Sequence, residues 1–413
     1  MKLFRHAAKY SAAAALICSI LAVGCGDTFR PIADPIFQPG GDPQNPDQVA
    51  VVHHNGAAPG IVTLINVSGD TNMGNFPTGV NPGLTSYDVA HTGVFVPNTD
   101  SATVTAASGN TNVVTVALLP GSRPVATAAG PSSQYVLNTG TNSECPSSGS
   151  VGVIGVALSL ISNICVGPSP SFAVVISGRL YVLDRAANTV TVINASTNAI
   201  IAVLNVGTAP VWATPSMDFQ FLYVVNQGSA SVSVINMTNA SVATTIPTGG
   251  SGPVFGFVDR VLNRLYVVNR DSNNVSVFDA SVSSAPTAMR APIPVGPAPT
   301  TITTVGDGSK AYVGNTGSNT VTEIRSSNFA TTDLVVGDDP AATVTWVAAS
   351  RDGSKLYAAT VEPNNLKNGT TIIRTSDNIR VAHMLAPQQN PSCNPSTASC
   401  TLYRPVQVSG GRP

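Results

Sequence analysis

The sequence predicts an all-β fold assembled from short repeated strand units, and three observations carry that prediction. Short cores rich in Val, Leu and Tyr that end in Asn or Asp recur every 40 to 46 residues or so. Most are followed by a polar turn and an alternating segment such as Thr189-Val190-Thr191-Val192-Ile193-Asn194 or Ser231-Val232-Ser233-Val234-Ile235-Asn236, the period-two pattern of half-buried strands. The composition agrees: 36 Gly and 31 Pro, only 10% charged residues, and no runs of Glu, Lys and Leu that would favour helices. With 43% hydrophobic residues the chain can build a core despite its low charge.

The cores, in order, are Val51-Val52-His53-His54-Asn55, Val94-Phe95-Val96-Pro97-Asn98, Tyr135-Val136-Leu137-Asn138, Leu180-Tyr181-Val182-Leu183-Asp184, Leu222-Tyr223-Val224-Val225-Asn226, Leu265-Tyr266-Val267-Val268-Asn269, Ala311-Tyr312-Val313-Gly314-Asn315 and Leu356-Tyr357-Ala358-Ala359-Thr360. A second marker keeps phase with them. A Gly-rich turn ending in Pro precedes the next unit, at Pro82, Pro124, Pro170, Pro210, Pro253, Pro299 and Pro340, with Pro405 near the C-terminus as an eighth. Proline fits just before a strand, where it removes no ladder hydrogen bond. A short strand of small residues follows each Pro, then a turn such as Asp307-Gly308-Ser309-Lys310 or Asp352-Gly353-Ser354-Lys355.

This order of Gly-x-x-Pro, short strand, Asp-Gly turn, Leu-Tyr-Val-x-Asn and alternating strand resembles the YVTN-type β-propeller repeat from about residue 48 to 409, most clearly from 170 to 360. The resemblance implies radial blades of four antiparallel strands, innermost strand first. Eight cores and eight Pro-led strands count eight blades; seven is the commoner number in the family. The first unit lacks a Pro-led strand before it, and Pro405-Val406-Gln407-Val408-Ser409 lacks a core after it. These halves are expected to complete one blade and close the ring, removing its sheet edges.

The N-terminus reads as a targeting segment. Lys2, Arg5 and Lys9 precede an apolar stretch from Ser11 to Val23, of signal-peptide length and short for a membrane span. Leu21-Ala22-Val23-Gly24-Cys25 resembles a bacterial lipobox, with Ala22 where Leu is usual. The resemblance implies a lipid on Cys25. Gly26, rather than the Asp that signals inner-membrane retention, implies the outer membrane, with a soluble periplasmic or secreted product as the alternative. The expected organisation is a signal peptide over 1–24, a lipidated linker over 25–47, one propeller over 48–409 and a tail over 410–413. Outside the signal and Cys25 stand Cys145, Cys165, Cys393 and Cys400, an even set for an oxidising compartment. Their placement on the repeat pairs Cys145 with Cys165 and Cys393 with Cys400.

Signals for chemistry are sparse. No His-Glu-x-x-His, Gly-x-Ser-x-Gly, phosphate loop or haem motif occurs, and neither a catalytic residue nor a metal set is assigned. His53 and His54 are adjacent in a strand and so point to opposite faces; His91 and His383 stand alone. Asp88 is the clearest carboxylate of the inner strands, and Asp218 and Asp259 fall near the far ends of theirs. The turns on the expected ligand side carry Asp184, Arg185, Arg270, Asp271, Asp338, Asp339, Glu362 and Lys367. Trp212 and Trp346 follow the start of inner strands, where packing between blades outweighs sugar stacking. The net charge of −1 holds no basic patch or acidic tail that argues for nucleic acid or a charged membrane surface. The expectation is a monomeric, non-enzymatic envelope scaffold binding a protein, peptide or glycan, with no cofactor beyond the lipid. A lactonase-like metal hydrolase and a surface-layer component are the alternatives.

Overall fold

A computed structural model describes residues 48–412 except 89–92, 110, 351, 391 and 394–399. Signal peptide, Cys25, linker and His91 therefore lie outside the described residues. Eight antiparallel blades of four strands follow one another around a ring, and the described residues contain no helix. Blade 4 is typical: Pro170–Ile176 innermost, then Arg179–Asp184, Thr189–Asn194 and, outermost, Ile200–Asn205. In blade 6 the outermost strand is broken into Thr287–Ala288 and Ile293–Pro294.

The second strand of each blade is its apolar centre. Leu180, Tyr181, Val182 and Leu183 are wholly buried, as are Leu222 to Val225 and Leu265 to Val268, because both faces of the strand pack on neighbouring blades. The outermost strands alternate between half-buried and exposed residues. Hairpins between first and second, and between third and fourth, strands define one face of the ring, here the hairpin face. Loops between second and third strands and the links between blades define the other, the link face.

In blades 3, 5 and 7 the tyrosine of the core latches its blade to the next across the hairpin face. Tyr135 Oη donates to Ala195 O at 2.8 Å, Tyr223 Oη to Ser283 O at 3.0 Å, and Tyr312 Oη to Asn378 Oδ1 at 2.8 Å. A cation two residues before the tyrosine reinforces this in four blades. Arg264 Nη1 reaches Ser326 O at 2.8 Å, Lys310 Nζ reaches Thr375 O at 2.6 Å, and Arg179 reaches Met237 O. Lys355 Nζ bonds Val67 O at 2.6 Å and pairs with Asp70 at 2.7 Å, joining blade 8 to blade 1.

The C-terminal strand closes the ring. Arg404–Arg412 pairs antiparallel with Gln48–Asn55, placing Val408 opposite Val51 and Pro405 opposite His53. Residues 410–412, expected as a tail, continue this strand, because Gln48 still offers a backbone partner to Arg412. The closing strand is also fixed on both flanks: Thr345 Oγ1 donates to Pro405 O at 2.8 Å, and Thr85 N donates to Gln407 Oε1 at 2.9 Å. In blade 8 the innermost strand is Thr343–Ala349, and Val344 takes the place that Pro holds elsewhere; Pro340 lies in the link before it.

Removing residues 405–413 takes away Val408 and strips cover from Val49 and Val51, which are fully buried. At about 1.5–3 kcal/mol for each large apolar side chain exposed, the truncated chain should lose about 5 kcal/mol or more. A chemical denaturation curve that matches the full chain would refute the closure.

Candidate binding face

The link face is organised by a polar ring. At the point where each second strand reaches this face stands one buried residue: His53, Asn98, Asn138, Asp184, Asn226, Asn269, Asn315 and Thr360, each at most 2% exposed. Strand register sets the equivalence, since each lies opposite the start of its inner strand, as with Pro170↔Asp184, Pro210↔Asn226, Val344↔Thr360 and Pro405↔His53. The core marker in blade 1 is therefore His53, not Asn55, which ends the strand beyond the bulge.

These side chains hold the third strand. Asn226 Nδ2 donates to Ser231 Oγ at 3.1 Å and Ser233 Oγ at 3.0 Å; Asn98, Asn269 and Asn315 make the same pair of contacts five and seven residues on. The glycine of the link packs on the same group. A Cβ on Gly207 would lie 2.7 Å from Asn226 Cγ, and one on Gly167 only 2.6 Å from Asp184 Cγ. The Gly-x-x-Pro marker and the Asn marker thus travel together because they touch.

Two ring members are ionisable. Asp184 Oδ2 accepts from Thr191 Oγ1 at 2.6 Å and Thr189 Oγ1 at 3.2 Å, reversing the hydroxyl direction seen in the Asn blades. Burial pushes its carboxyl up to about 6, against the opposing pull of those hydroxyls. His53 Nε2 lies 3.0 Å from Thr63 Oγ1, and burial lowers its imidazole to about 3. Its neighbour His54 points the other way and accepts from Gly56 N at 2.9 Å, so the two histidines do not converge. His383 is on the outermost strand of blade 8, held by Thr371 Oγ1 at 2.8 Å and Lys367 O at 3.0 Å.

Inside this ring the axis is filled. In each of blades 4 to 6 the inner strand bulges one residue after its Pro, so Pro170 faces Asp184 while Phe172 faces Leu183. The residue two past the Pro, Phe172, Trp212 or Phe255, reaches the axis together with Trp346 of blade 8. Ring centroids are 4.2 Å apart for Phe172–Trp212, 4.1 Å for Trp212–Phe255, 5.9 Å for Phe255–Trp346 and 6.5 Å for Trp212–Trp346. Leu84 of blade 2 packs against the hydrophobic core to which Phe172, Trp212 and Phe255 belong. The tryptophans therefore serve packing, across the channel as well as between neighbours.

The rim charges pair with each other. Arg185 donates to Gln227 Oε1 at 2.6 Å, linking blades 4 and 5, and Arg270 pairs with Asp271 at 2.8 Å. Asp338 pairs with Arg380 at 2.5 Å and Lys367 at 3.6 Å, and the Arg380 hydrogen bond leads the effects that hold its carboxyl below the usual range. Buried Glu362 accepts from Asp338 N at 3.0 Å and Asp339 N at 3.2 Å, so it caps the link into blade 8. Asp88, expected on the ligand side, pairs with Gly93 at the end of its strand remote from Pro82 and so belongs to the hairpin face. Asp218 and Asp259 lie at that face as well. Among the described residues no group of three His, Cys, Asp or Glu side chains converges for a metal.

Cys145, buried in the long second-to-third strand loop of blade 3, is bonded to Cys165 at the end of the outermost strand, with Cα atoms 5.4 Å apart. Cys393 is joined to Cys400 in the link that leads to the closing strand.

No protein-family model and no curated protein sequence matches the chain. Solved structures do. The chain is similar to the dihydro-heme d1 dehydrogenase NirN in complex with DHE, with a TM-score of 0.67, 15% identity, and coverage of 90% of this chain and 76% of that one. It is similar to apo AztD from Citrobacter koseri (TM-score 0.61, 11% identity, covering 88% and 97%). A putative 6-phosphogluconolactonase from Bacteroides fragilis also matches (TM-score 0.55, 15% identity, covering 72% and 96%). At these identities the likeness establishes the β-propeller class alone.

The polar ring gives pH predictions of opposite sign. Asp184 has a raised folded pKa, so its contribution is present below the unfolded value near 3.8 and is lost as pH rises through about 6. Asp184→Asn restores the amide of the other blades and should stabilise the protein by about 2–3 kcal/mol at pH 7.5, with little change at pH 3.5. His53 has a depressed folded pKa, so its contribution is present above 6.5 and is lost as pH falls toward 3. His53→Asn should gain about 2 kcal/mol relative to the parent on going from pH 7.5 to pH 5. Urea titrations at those pH values check both, and parallel curves for parent and variants would contradict them.

Proposed function

We propose that this chain is an exported, membrane-anchored propeller that binds an envelope protein, peptide or glycan through its link face. The observation that carries the reading is the aromatic fill of the axis. A metal-dependent hydrolase on this fold needs oxygen ligands converging in the channel, and the level just below the link face is occupied by Phe172, Trp212, Phe255 and Trp346. What this face offers instead is a broad rim of loops carrying Arg185, Arg270, Asp271, Asp338 and Lys367 around a rigid ring. The Cys145–Cys165 disulfide supports an oxidising compartment, and the signal-like N-terminus with Cys25 supports lipid anchoring. YVTN-type repeat membership rests on the motifs quoted above.

The surface-layer alternative has one observation of its own. The outermost strand of blade 4, Ile200-Ile201-Ala202-Val203-Leu204-Asn205, is an uncharged edge with Ile200, Ile201 and Val203 exposed. Sedimentation at rising concentration separates the readings, because edge pairing should give oligomers that Val203→Lys abolishes.

Two measurements test the proposal. Mass spectrometry of the mature N-terminus should find a diacylglyceryl group on Cys25, and an unmodified N-terminus downstream of it would defeat the anchoring. Arg270→Glu combined with Asp271→Arg, which exchanges the charges of an exposed pair, should weaken binding of a partner isolated on the purified propeller by about tenfold or more while leaving the melting curve intact. Lactone hydrolysis by the parent protein with added divalent cations would overturn the scaffold reading.

A further inference from the structure

The turn that joins the second and third strands of blade 1 carries the dipeptide Asn55-Gly56 at the link face. In such a pair the backbone nitrogen of the glycine can attack the side-chain carbonyl carbon of the asparagine, and the missing Cβ leaves the approach open. Two barriers remain. The nitrogen must lose its proton, and the carboxamide must be free to turn toward it.

Blade 1 lowers both barriers. Asn55 ends its strand opposite Ala58, and Gly56 and Ala57 form the exposed turn between them. Gly56 N donates to His54 Nδ1 at 2.9 Å rather than to a backbone carbonyl. A backbone amide only donates, so Nδ1 is the unprotonated nitrogen of that ring, and its lone pair is aimed at the proton that must leave. A Cβ on Gly56 would meet nothing within 4 Å, so the turn has room to move. In blades 2, 5, 6 and 7 the marker asparagine is buried and tied to two groups of the third strand. In blade 1 His53 takes that post, and the half-buried Asn55 carboxamide has no hydrogen-bond partner among the described residues. The chain's other Asn-Gly pair, Asn368-Gly369, is held fast. Asn368 is wholly buried; its Oδ1 accepts from Glu362 N at 2.8 Å, and its Nδ2 donates to Asn365 Oδ1 at 3.1 Å and Leu402 O at 3.3 Å. Gly369 is paired on both sides, with Thr360 and Leu385.

We propose that Asn55 is a site of self-catalysed deamidation, with His54 as the general base. His54 Nδ1 takes the proton from Gly56 N, and the freed electron pair forms a bond to Asn55 Cγ. The bond from Cγ to the side-chain nitrogen then breaks, and ammonia leaves with the proton that the imidazolium returns. Water adds to one carbonyl of the resulting five-membered succinimide and opens it, leaving an aspartyl or isoaspartyl residue where Asn55 stood. No oxidant or reductant takes part. Either product adds a carboxylate to the link face, and the isoaspartyl form also lengthens the backbone at the point where the strand faces Ala58. The modification itself does not depend on the scaffold function or the lipid anchor proposed above.

The test is incubation of the purified protein at neutral pH, followed by peptide mapping that separates asparaginyl, aspartyl and isoaspartyl forms. The peptide carrying Asn55 should convert while the peptide carrying Asn368 stays unchanged. In guanidinium, where neither pair is held, both should convert at comparable rates. His54→Gln keeps an acceptor for Gly56 N but supplies no base, and should slow conversion at Asn55 by about tenfold or more. Added imidazole should restore part of the rate in His54→Gly. In the folded protein, conversion at Asn55 no faster than at Asn368 overturns the proposal. So does a His54→Gln protein that melts like the parent and converts at the parental rate. Should neither His54 variant fold, the comparison of the two dipeptides in the parent protein decides alone.

Discussion

Every blade leans on its neighbours, so the ring depends on the seam where the two ends of the chain meet. There the outer three strands of blade 1 come from residues 48–80 and the innermost strand from residues 404–412. The seam is reinforced on three levels: the ladder between Gln48–Asn55 and Arg404–Arg412, the Lys355 clip to Val67 and Asp70, and the flanking bonds of Thr345 and Gln407. A ring with an open seam would expose the apolar second strand of blade 1 and leave the tyrosine latch of blade 8 without its target.

With the seam closed, the two faces acquire different chemistry for a local reason. At the link face each second strand carries a buried polar side chain, and in blades 2, 4, 5, 6 and 7 a glycine of the preceding link packs on it, beneath a rim of paired charges. At the hairpin face four of these strands begin with a cation that reaches across to the next blade, two residues before a tyrosine. The turns above them are free to present whatever side chains they carry. In blades 5 and 6 they present Met217, Val261, Leu262 and Val282 to solvent, with exposed Asp218 and Asp279 among them. Near the link face the axis is occupied by Phe172, Trp212, Phe255 and Trp346.

Much of the fold was legible because the markers reflect contacts that recur in most blades. Leu-Tyr-Val-x-Asn encodes a doubly buried strand with a latch and a loop holder, and Gly-x-x-Pro encodes the link that packs on it. Closure followed from the phase of Pro405 alone. Blade 1 departed from the pattern because its polar holder is His53, while Asn55 mimicked the marker two residues later; only the bulge opposite Pro405 reveals the true register. Blade 8 departed because Val344 stands where Pro is usual. The rim charges were readable as loop residues, but not as partners of one another, since Asp338–Arg380 and Arg185–Gln227 join residues some forty positions apart. The aromatic fill was missed for the same reason: Trp212 and Trp346 come from blades 5 and 8, which two other blades separate, and their rings meet only through the channel.

Closure is most directly examined by native-state hydrogen exchange at the seam. The amides of Val51, Val52 and Val408 should exchange only through global unfolding, with the same opening free energy as the amides of Tyr223 and Val224 in blade 5. Exchange at the seam through a separate, lower-energy opening that leaves blade 5 protected would contradict a ring whose integrity depends on the joined termini.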